Sequence, residues 1–265
     1  NAFAVPGGII GLHTGIFAHA KTEDEFSSIL AHELAHLSQR HFARGLEEQK
    51  KASFLSMGGL LAGLAIAAAA GADAGTAAMT VSQAATMEGR LRYSRSNEQE
   101  ADRIGLQTMK NAGRNPAAAA KMFETMLTLT RHAINRPPEF LLTHPVTEKR
   151  ISDARNRVIN LPFRHYPRSE NYLLMQARAL VALNKNTKAT IENFRLKLRQ
   201  RSLNSEAIYY GLALAHAQMK DYEKATSLIH DLIKHQPDQL IYLHTEIEID
   251  LASGRLSEAQ EKVTE

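Results

Sequence analysis

Between residues 22 and 38 apolar side chains recur at Phe26, Ile29, Leu30, Leu34 and Leu37. At 3.6 residues per turn these positions fall on one stripe, which predicts an amphipathic helix lying against a core. Thr22, with Glu25 three positions later, has the order of a capping box and marks where that helix opens. Ahead of it, Ala2-Phe3-Ala4-Val5 and Ile9-Ile10-Gly11-Leu12 are short apolar runs divided by Pro6-Gly7-Gly8 and followed by His13-Thr14-Gly15. Such runs, broken by Gly and Pro, favour strands and turns over helix across residues 1–20.

Further helices are predicted from Ser94 or Ser96 through Met109, stopping at Asn111-Ala112-Gly113, and over Pro116–Thr130 with Pro116 in the first turn. Asn135-Arg136-Pro137-Pro138 breaks the latter. Thr143-His144-Pro145 reads as a turn or an approach to a helix over roughly 147–159. The stretch Ala52–Ala72 has no charged residue, and Gly71-Ala72-Asp73-Ala74-Gly75 after it reads as a loop or helix break. Its length meets the roughly 20 residues of a spanning helix. Its Ala and Gly content gives a weak drive for insertion, so a buried or mobile segment beside the active site is the first expectation. Peripheral membrane contact through 52–72 is the second.

After Leu161-Pro162-Phe163-Arg164-His165-Tyr166-Pro167 the pattern changes to regular amphipathic helices about a dozen residues long, which places a boundary between domains at 1–162 and 166–265. Asp221-Tyr222-Glu223-Lys224-Ala225 recurs as Arg255-Leu256-Ser257-Glu258-Ala259, and Asn186-Thr187-Lys188-Ala189 is a weaker copy. Helix-turn-helix units of about 34 residues are the signature of tetratricopeptide repeats. Tyr210, Gly211, Ala213 and Ala217 suit close packing of one helix, and Tyr222, Ala225, Leu228, Ile229 and Leu232 supply the apolar face of the next. The last unit reads as incomplete at Glu265. Stacked units of this kind expose a groove for protein or peptide partners.

Composition narrows the field. The chain has 265 residues, 32 Lys+Arg against 28 Asp+Glu, and 6% aromatic residues. That mild, dispersed positive charge with few stacking platforms argues against a nucleic-acid partner. With no cysteine, any zinc site has to use His and carboxylate. The opening at Asn1, without methionine, suggests a mature or truncated product.

The chemistry lies in His32-Glu33-Leu34-Ala35-His36. Two histidines four apart share a helix face and suit one zinc ion, and the glutamate after the first is placed to act as general base. A third ligand has to come from elsewhere, because a catalytic zinc has three protein ligands and an open position. Glu98 and Asp102 lie four apart on one face of the second predicted helix, so one suits the metal and the other a supporting role behind a ligand histidine. Spacing alone favours Glu98 only weakly. Glu100 points roughly 160–200° away and is expected in solvent. His41, turned about 140° from His36 on a straight helix, is expected to pack or be solvated. Arg40 and Arg44 are expected on a solvated face, near Glu47 or Glu48.

These motifs resemble the M48 family of zinc metallopeptidases, specifically its soluble periplasmic members with C-terminal tetratricopeptide repeats. The likeness rests on the His-Glu-x-x-His helix, on Glu98-Gln99-Glu100-Ala101-Asp102 and on the Asn1–Gly8 opening, and it covers about 1–160. It implies a mainly α fold: a zincin-like metallopeptidase domain with a small β-sheet, followed by an α-solenoid of tetratricopeptide repeats. It also implies one Zn2+ on His32, His36 and Glu98, with Asp102 supporting a ligand. Phe3, Ala4 and Val5 would form the strand that receives substrate, where Gly7, Gly8 and Gly11 allow close backbone approach. A histidine near the zinc in such a turn assigns His144 either to the oxyanion or to the open coordination position, with Arg150 as a weaker assistant.

The expected activity is hydrolysis of peptide bonds in unfolded or misassembled envelope proteins, in the periplasm of a Gram-negative bacterium. Partners would be polypeptide substrates and, through the repeats, the outer-membrane assembly machinery. The alternatives are an assembly scaffold or chaperone with latent protease activity and a purely structural metal site.

Overall fold

A computed structural model describes residues 2–132, 144–162, 164–200 and 205–264. The expected break at Asn135–Pro138 lies outside the described residues, as does Thr143. Contacts divide the chain into two units: 1–12 with 24–166, and 13–23 with 167–265.

In the first unit β1 (Ala2–Val5) pairs antiparallel with β2 (Ile9–Leu12), with Ala2 opposite Leu12 and Val5 opposite Ile9. Gly7 and Gly8 turn the hairpin at φ 95° and 79°, a left-handed region that side chains with a Cβ avoid. Gly11 has a different task from the one expected: the Phe3 ring lies over it, and any Cβ there would collide with that ring.

Helix α2 (Glu23–Ser38) follows the apolar spacing only in part. Ile29, Ala31 and Ala35 are buried with His32 and Glu33, while Leu34 faces outward at 42% exposure. Arg40 takes a left-handed conformation and ends the run, so α3 (His41–Ala70) starts in a new direction. It turns back at Gly71 into α4 (Ala72–Asn111). The expected loop at Gly71–Gly75 is therefore a single glycine, and the second helix begins at Ala72 instead of Ser94 or Ser96. Residues 52–70 are helical and largely exposed, which overturns the expectation of a buried segment. Helix α3 is long and apolar enough to cross a membrane by length and composition.

Helices α5 (Ala117–His132) and α6 (Glu148–Val158) pack on each other and α6 on α4, burying Leu106, Met109, Met122, Phe123, Met126 and Ile151. Thr147 caps α6 by accepting from the Arg150 amide at 3.3 Å.

The second unit starts with α1 (Gly15–His19), a short helix where extended chain was expected. It packs on α7 (Glu170–Leu183); the Tyr172 hydroxyl donates to the Ala20 carbonyl at 2.9 Å, and the rings of Phe17 and Tyr172 stack at 5.7 Å. The hairpins continue as α8 (Thr187–Arg199), α9 (Ser205–Gln218), α10 (Tyr222–His235), α11 (Leu240–Ser253) and α12 (Leu256–Thr264). Their first helices open at residues 170, 205 and 240 and their second at 187, 222 and 256, in step with the sequence repeat. Tyr210, Ala225, Ile229 and Tyr242 are fully buried in the core, and Gly211 leaves the space that the Phe194 ring fills.

Asp250, 2% exposed, closes the end of this unit. It accepts from Lys262 at 2.6 Å and from Arg255 at 2.7 Å. Burial raises its pKa, but these two cations hold it below the usual aspartate value. A depressed folded-state pKa contributes stability above the unfolded value of about 3.9 and loses it as the pH falls. Asp250→Asn is expected to cost about 2–3 kcal/mol in urea unfolding at neutral pH. The gap between variant and wild type should begin to close as the pH falls below about 4 and go on closing down to the lowered folded-state pKa; parallel curves across that range would refute the assignment.

Candidate metal centre

Three elements of the first unit converge on one point. Helix α2 brings His32, Glu33 and His36, α4 brings Glu98 and Asp102, and the segment before α6 brings His144. The approach of α4 to α2 is set at Gly105, where a Cβ would stand 3.3 Å from the backbone of Ala31 and His32. Glu98 and Asp102 lie seven and three residues before Gly105 on the same face, so this contact delivers both carboxylates to the histidines.

His32, His36, Glu98 and His144 each offer a donor atom, all within 4.8 Å of one another. The Nε2 atoms of His32 and His36 are 3.0 Å apart. Glu98 Oε2 is 3.3 Å from His32 Nε2, and Oε1 is 3.3 Å from His36 Nε2. Zinc bonds of 2.0–2.1 Å at tetrahedral angles put ligand atoms about 3.3 Å apart. The observed spacings, taken to one or the other Glu98 oxygen, are of that size. His144 Nδ1 stands 2.9 Å from Glu98 Oε1 and 3.4 Å from His32 Nε2, within the same group.

The field at this point favours positive charge. Burial acts to lower the His32 pKa, yet Asp102 and Glu98 outweigh it and raise it to about 9. His36 goes the other way: burial pushes it down to about 4, Glu98 opposes the shift, and the charge of His32 adds to it. Burial would raise Glu98, but the three histidines hold it far below the ordinary carboxylate range. A cluster with this balance suits a divalent cation bound by neutral imidazoles and an ionised carboxylate.

Glu33 is 1% exposed, and neither carboxylate oxygen has a hydrogen-bond partner. Burial raises its pKa, opposed by His144 and His32. His144 Nε2 lies 3.6 Å from Glu33 Oε1. The Ala4 amide stands near enough to favour the ionised form slightly, short of a hydrogen bond, which puts β1 beside the carboxylate. Of the expected substrate strand, Phe3 is 47% exposed, and Ala4 and Val5 are half-buried.

Behind the donors stand two supports. Asp102 Oδ1 lies 3.0 Å from His32 Nδ1, and the Arg150 guanidinium grips Asp102 with two hydrogen bonds of 2.7 Å. The same guanidinium stands 2.9 Å from Glu98 Oε2 and donates at 2.9 Å to the Pro145 carbonyl, next to His144. Arg150 was a weak candidate in the sequence; in the structure it is buried and ties two elements together.

The second support was missed. His41 is buried, with Nδ1 2.8 Å from His36 Nδ1 and Nε2 3.0 Å from Glu100 Oε2. Arg44 donates to the same oxygen at 3.1 Å. A straight helix would turn His41 away, but the left-handed Arg40 returns it to His36. Glu100 is thus paired rather than solvated, and Arg44 answers Glu100 instead of Glu47 or Glu48. A histidine five residues after the motif, with a carboxylate between Glu98 and Asp102, was the available signal.

Residues 1–158 match the profile of peptidase family M48. The chain is 38% identical over 245 residues to a Vibrio cholerae relative, covering 92% of this chain and 50% of that one. It is 35% identical over 260 residues to the beta-barrel assembly-enhancing protease of Escherichia coli, covering 98% and 53%. It is also 35% identical over 159 residues to the mitochondrial metalloendopeptidase OMA1 of Saccharomyces cerevisiae, covering 58% and 42%. The chain spans about half the length of the bacterial relatives it matches.

His41→Ala leaves the His36 ring without its rear partner, and is expected to weaken zinc binding about 10–100-fold in a chelator competition. Glu100→Gln should give a smaller loss. Unchanged zinc affinity in both would remove His41 and Glu100 from the support of the site.

Proposed function

Since this chain belongs to peptidase family M48, we propose that it is a zinc-dependent endopeptidase hydrolysing unfolded or misassembled envelope proteins in the periplasm of a Gram-negative bacterium. One observation carries the reading. A carboxylate with both oxygens buried and without a hydrogen bond costs stability, and Glu33 holds that position directly beside the four-donor cluster. A purely structural metal site gives no reason for it.

Zinc bound by His32, His36 and Glu98 would supply Lewis-acid polarisation of a carbonyl and make a nearby water more acidic. Glu33 takes the proton of the attacking water and delivers it to the leaving amine nitrogen. Burial raises its pKa, which makes it a stronger proton acceptor than an ordinary carboxylate. Asp102, itself fixed by Arg150, holds the His32 ring in place. The edge of Phe3, Ala4 and Val5 receives the substrate as an added strand, and the Ala4 amide beside Glu33 supports that position.

The 166–265 region, read as tetratricopeptide repeats, recruits clients or the outer-membrane assembly machinery. The name of the Escherichia coli relative supports a substrate from beta-barrel assembly. Contact with a membrane surface through residues 52–72 belongs to the same reading, supported by the apolar helix α3.

A second reading, an assembly scaffold with a latent protease, is favoured by one distance. His144 lies 2.9 Å from Glu98 Oε1, inside the donor group, where it competes with a substrate carbonyl. In an open state the same ring would donate to the oxyanion.

Glu33→Gln is expected to lower cleavage of unfolded casein by about 10²–10⁴-fold with zinc content unchanged. Full activity in that variant would sink the endopeptidase reading. His144→Ala is expected to speed cleavage about tenfold by removing a blocked state. Slower cleavage would assign His144 to transition-state support instead.

A further inference from the structure

Helices α3 and α4 form an antiparallel pair whose packing is inverted relative to a water-facing hairpin. Small residues line the contact. A Cβ at Gly59 would collide with Ser82, at Gly63 with Met79, and at Gly75 with Ala67. The large apolar side chains point outward: Phe54 is 72% exposed, Leu55 70%, Leu61 62% and Val81 69%. In water a helix pair buries its large residues and shows its small or polar ones. Small residues at the contact and large ones outside are the arrangement of helices in lipid.

Two further observations name the medium. From Ala52 to Met87 the only charged residue is Asp73, at the turn. The hydroxyls in this stretch include Ser53, Thr76, Thr80 and Thr86, and each donates at 2.9 Å to the carbonyl four residues earlier. Hydroxyls satisfied by their own helix leave water at low cost. The glycine contacts set the register between the helices and bring Lys50 and Lys51 on α3 level with Arg90 and Arg92 on α4. All four are exposed, and with Arg95 they make five basic residues against Glu47, Glu48 and Glu88, of which Glu48 pairs with Lys51 at 2.7 Å and Glu88 with Arg95 at 2.8 Å. A basic collar below an apolar tip is complementary to anionic headgroups above acyl chains.

We propose that the α3–α4 hairpin is a membrane-docking element that enters the face of an anionic lipid bilayer tip first, with Lys50, Lys51, Arg90 and Arg92 at the headgroups. This rests on the membrane contact read through residues 52–72 and extends it to both helices, with an orientation and a lipid class. The apolar part of α3, residues 52–70, is about 28 Å long at 1.5 Å per residue. Because the chain turns back at Gly71, that length serves insertion from one side. The hairpin base holds His41, Arg44 and Glu100, so docking fixes the metal centre roughly 15 Å from the lipid, ten helical residues below the collar.

The chain has no tryptophan, so single reporters are clean. Leu61→Trp, midway along the apolar part, and Leu46→Trp near the base are mixed with vesicles of phosphatidylcholine alone or with phosphatidylglycerol. The Leu61 reporter should shift to the blue and be quenched by brominated acyl chains, and the base reporter should not. Binding should fall tenfold or more for Leu61→Glu, for Val81→Glu and for Lys50→Ala with Arg90→Ala. It should weaken with salt on the anionic vesicles. Circular dichroism melts identify any variant that fails to fold, and casein cleavage without vesicles should be unchanged in the folded ones.

Binding to neither vesicle type overturns both this proposal and the simpler contact. Binding lost in Leu61→Glu but intact in Val81→Glu overturns the hairpin and leaves the simpler contact standing. Equal affinity for neutral vesicles overturns the headgroup assignment. A blue shift that needs no vesicles and grows with protein concentration overturns the lipid occupant in favour of a second copy of the chain.

Discussion

The metal centre depends on how closely one helix can approach another. At Gly105 the backbone of α4 comes against the backbone of α2 at Ala31 and His32. A Cβ there would press on that backbone and force it to give by a few tenths of an ångström, so glycine suits the approach. Everything else in the donor set follows from helical geometry. Glu98 and Asp102, on the Gly105 face of α4, reach His32 and His36, themselves one turn apart on α2. Three of the four donors are therefore a property of two rigid elements, with His144 added from the segment before α6, which is the rigidity that spacings near 3 Å require.

Bringing three carboxylates and three imidazoles together out of water is costly, and the structure distributes the compensation unequally. Arg150 answers Asp102 with two hydrogen bonds and reaches Glu98, so two of the carboxylates have a permanent cation. Glu33 has only the His144 ring, at 3.6 Å, and no hydrogen bond. The first two are held ionised and fixed, suited to binding and orienting. Glu33 keeps a raised pKa, suited to moving a proton. Arg150 also holds the Pro145 carbonyl, so the segment carrying His144 is tethered to the charge network that orders the ligands.

What the sequence showed and what it hid divide along physical lines. His32, Glu33 and His36 were legible because a helix converts a spacing of four into a shared face. Glu98 and Asp102 were legible as a pair, although their order of roles needed the family resemblance. The support formed by His41 and Glu100 was hidden by a single backbone dihedral: the left-handed Arg40 breaks the helix on which the angular estimate relied. Periodicity carries no trace of such a residue. Leu34 misled for another reason, since α2 buries its alanines and histidines where α4 approaches and leaves that leucine outside. The helical repeat of the second half was legible from Ala189, Ala225 and Ala259, the small residues near the start of each second helix. The short helix α1, packed on α7 far along the chain, had no local signal strong enough to override its Gly and Thr.

The stretch 52–87 is largely exposed where a buried segment was expected. Ala and Gly make up much of it, yet its α3 part is long and apolar enough to cross a membrane by length and composition. In a hairpin, however, some of those small residues are spent on the contact between helices, and the outer surface carries Phe54, Leu55, Leu61 and Val81 among exposed alanines and threonines. Mean hydropathy averages the two faces; the surface a solvent meets is only one of them. The base of the same hairpin carries His41 and Glu100, the rear support of His36. Whatever the outer face touches is thus connected through two continuous helices to a ring of the metal centre. Rigid helices of this length transmit position, and the geometry of His36 is set at the point where they meet the catalytic helix.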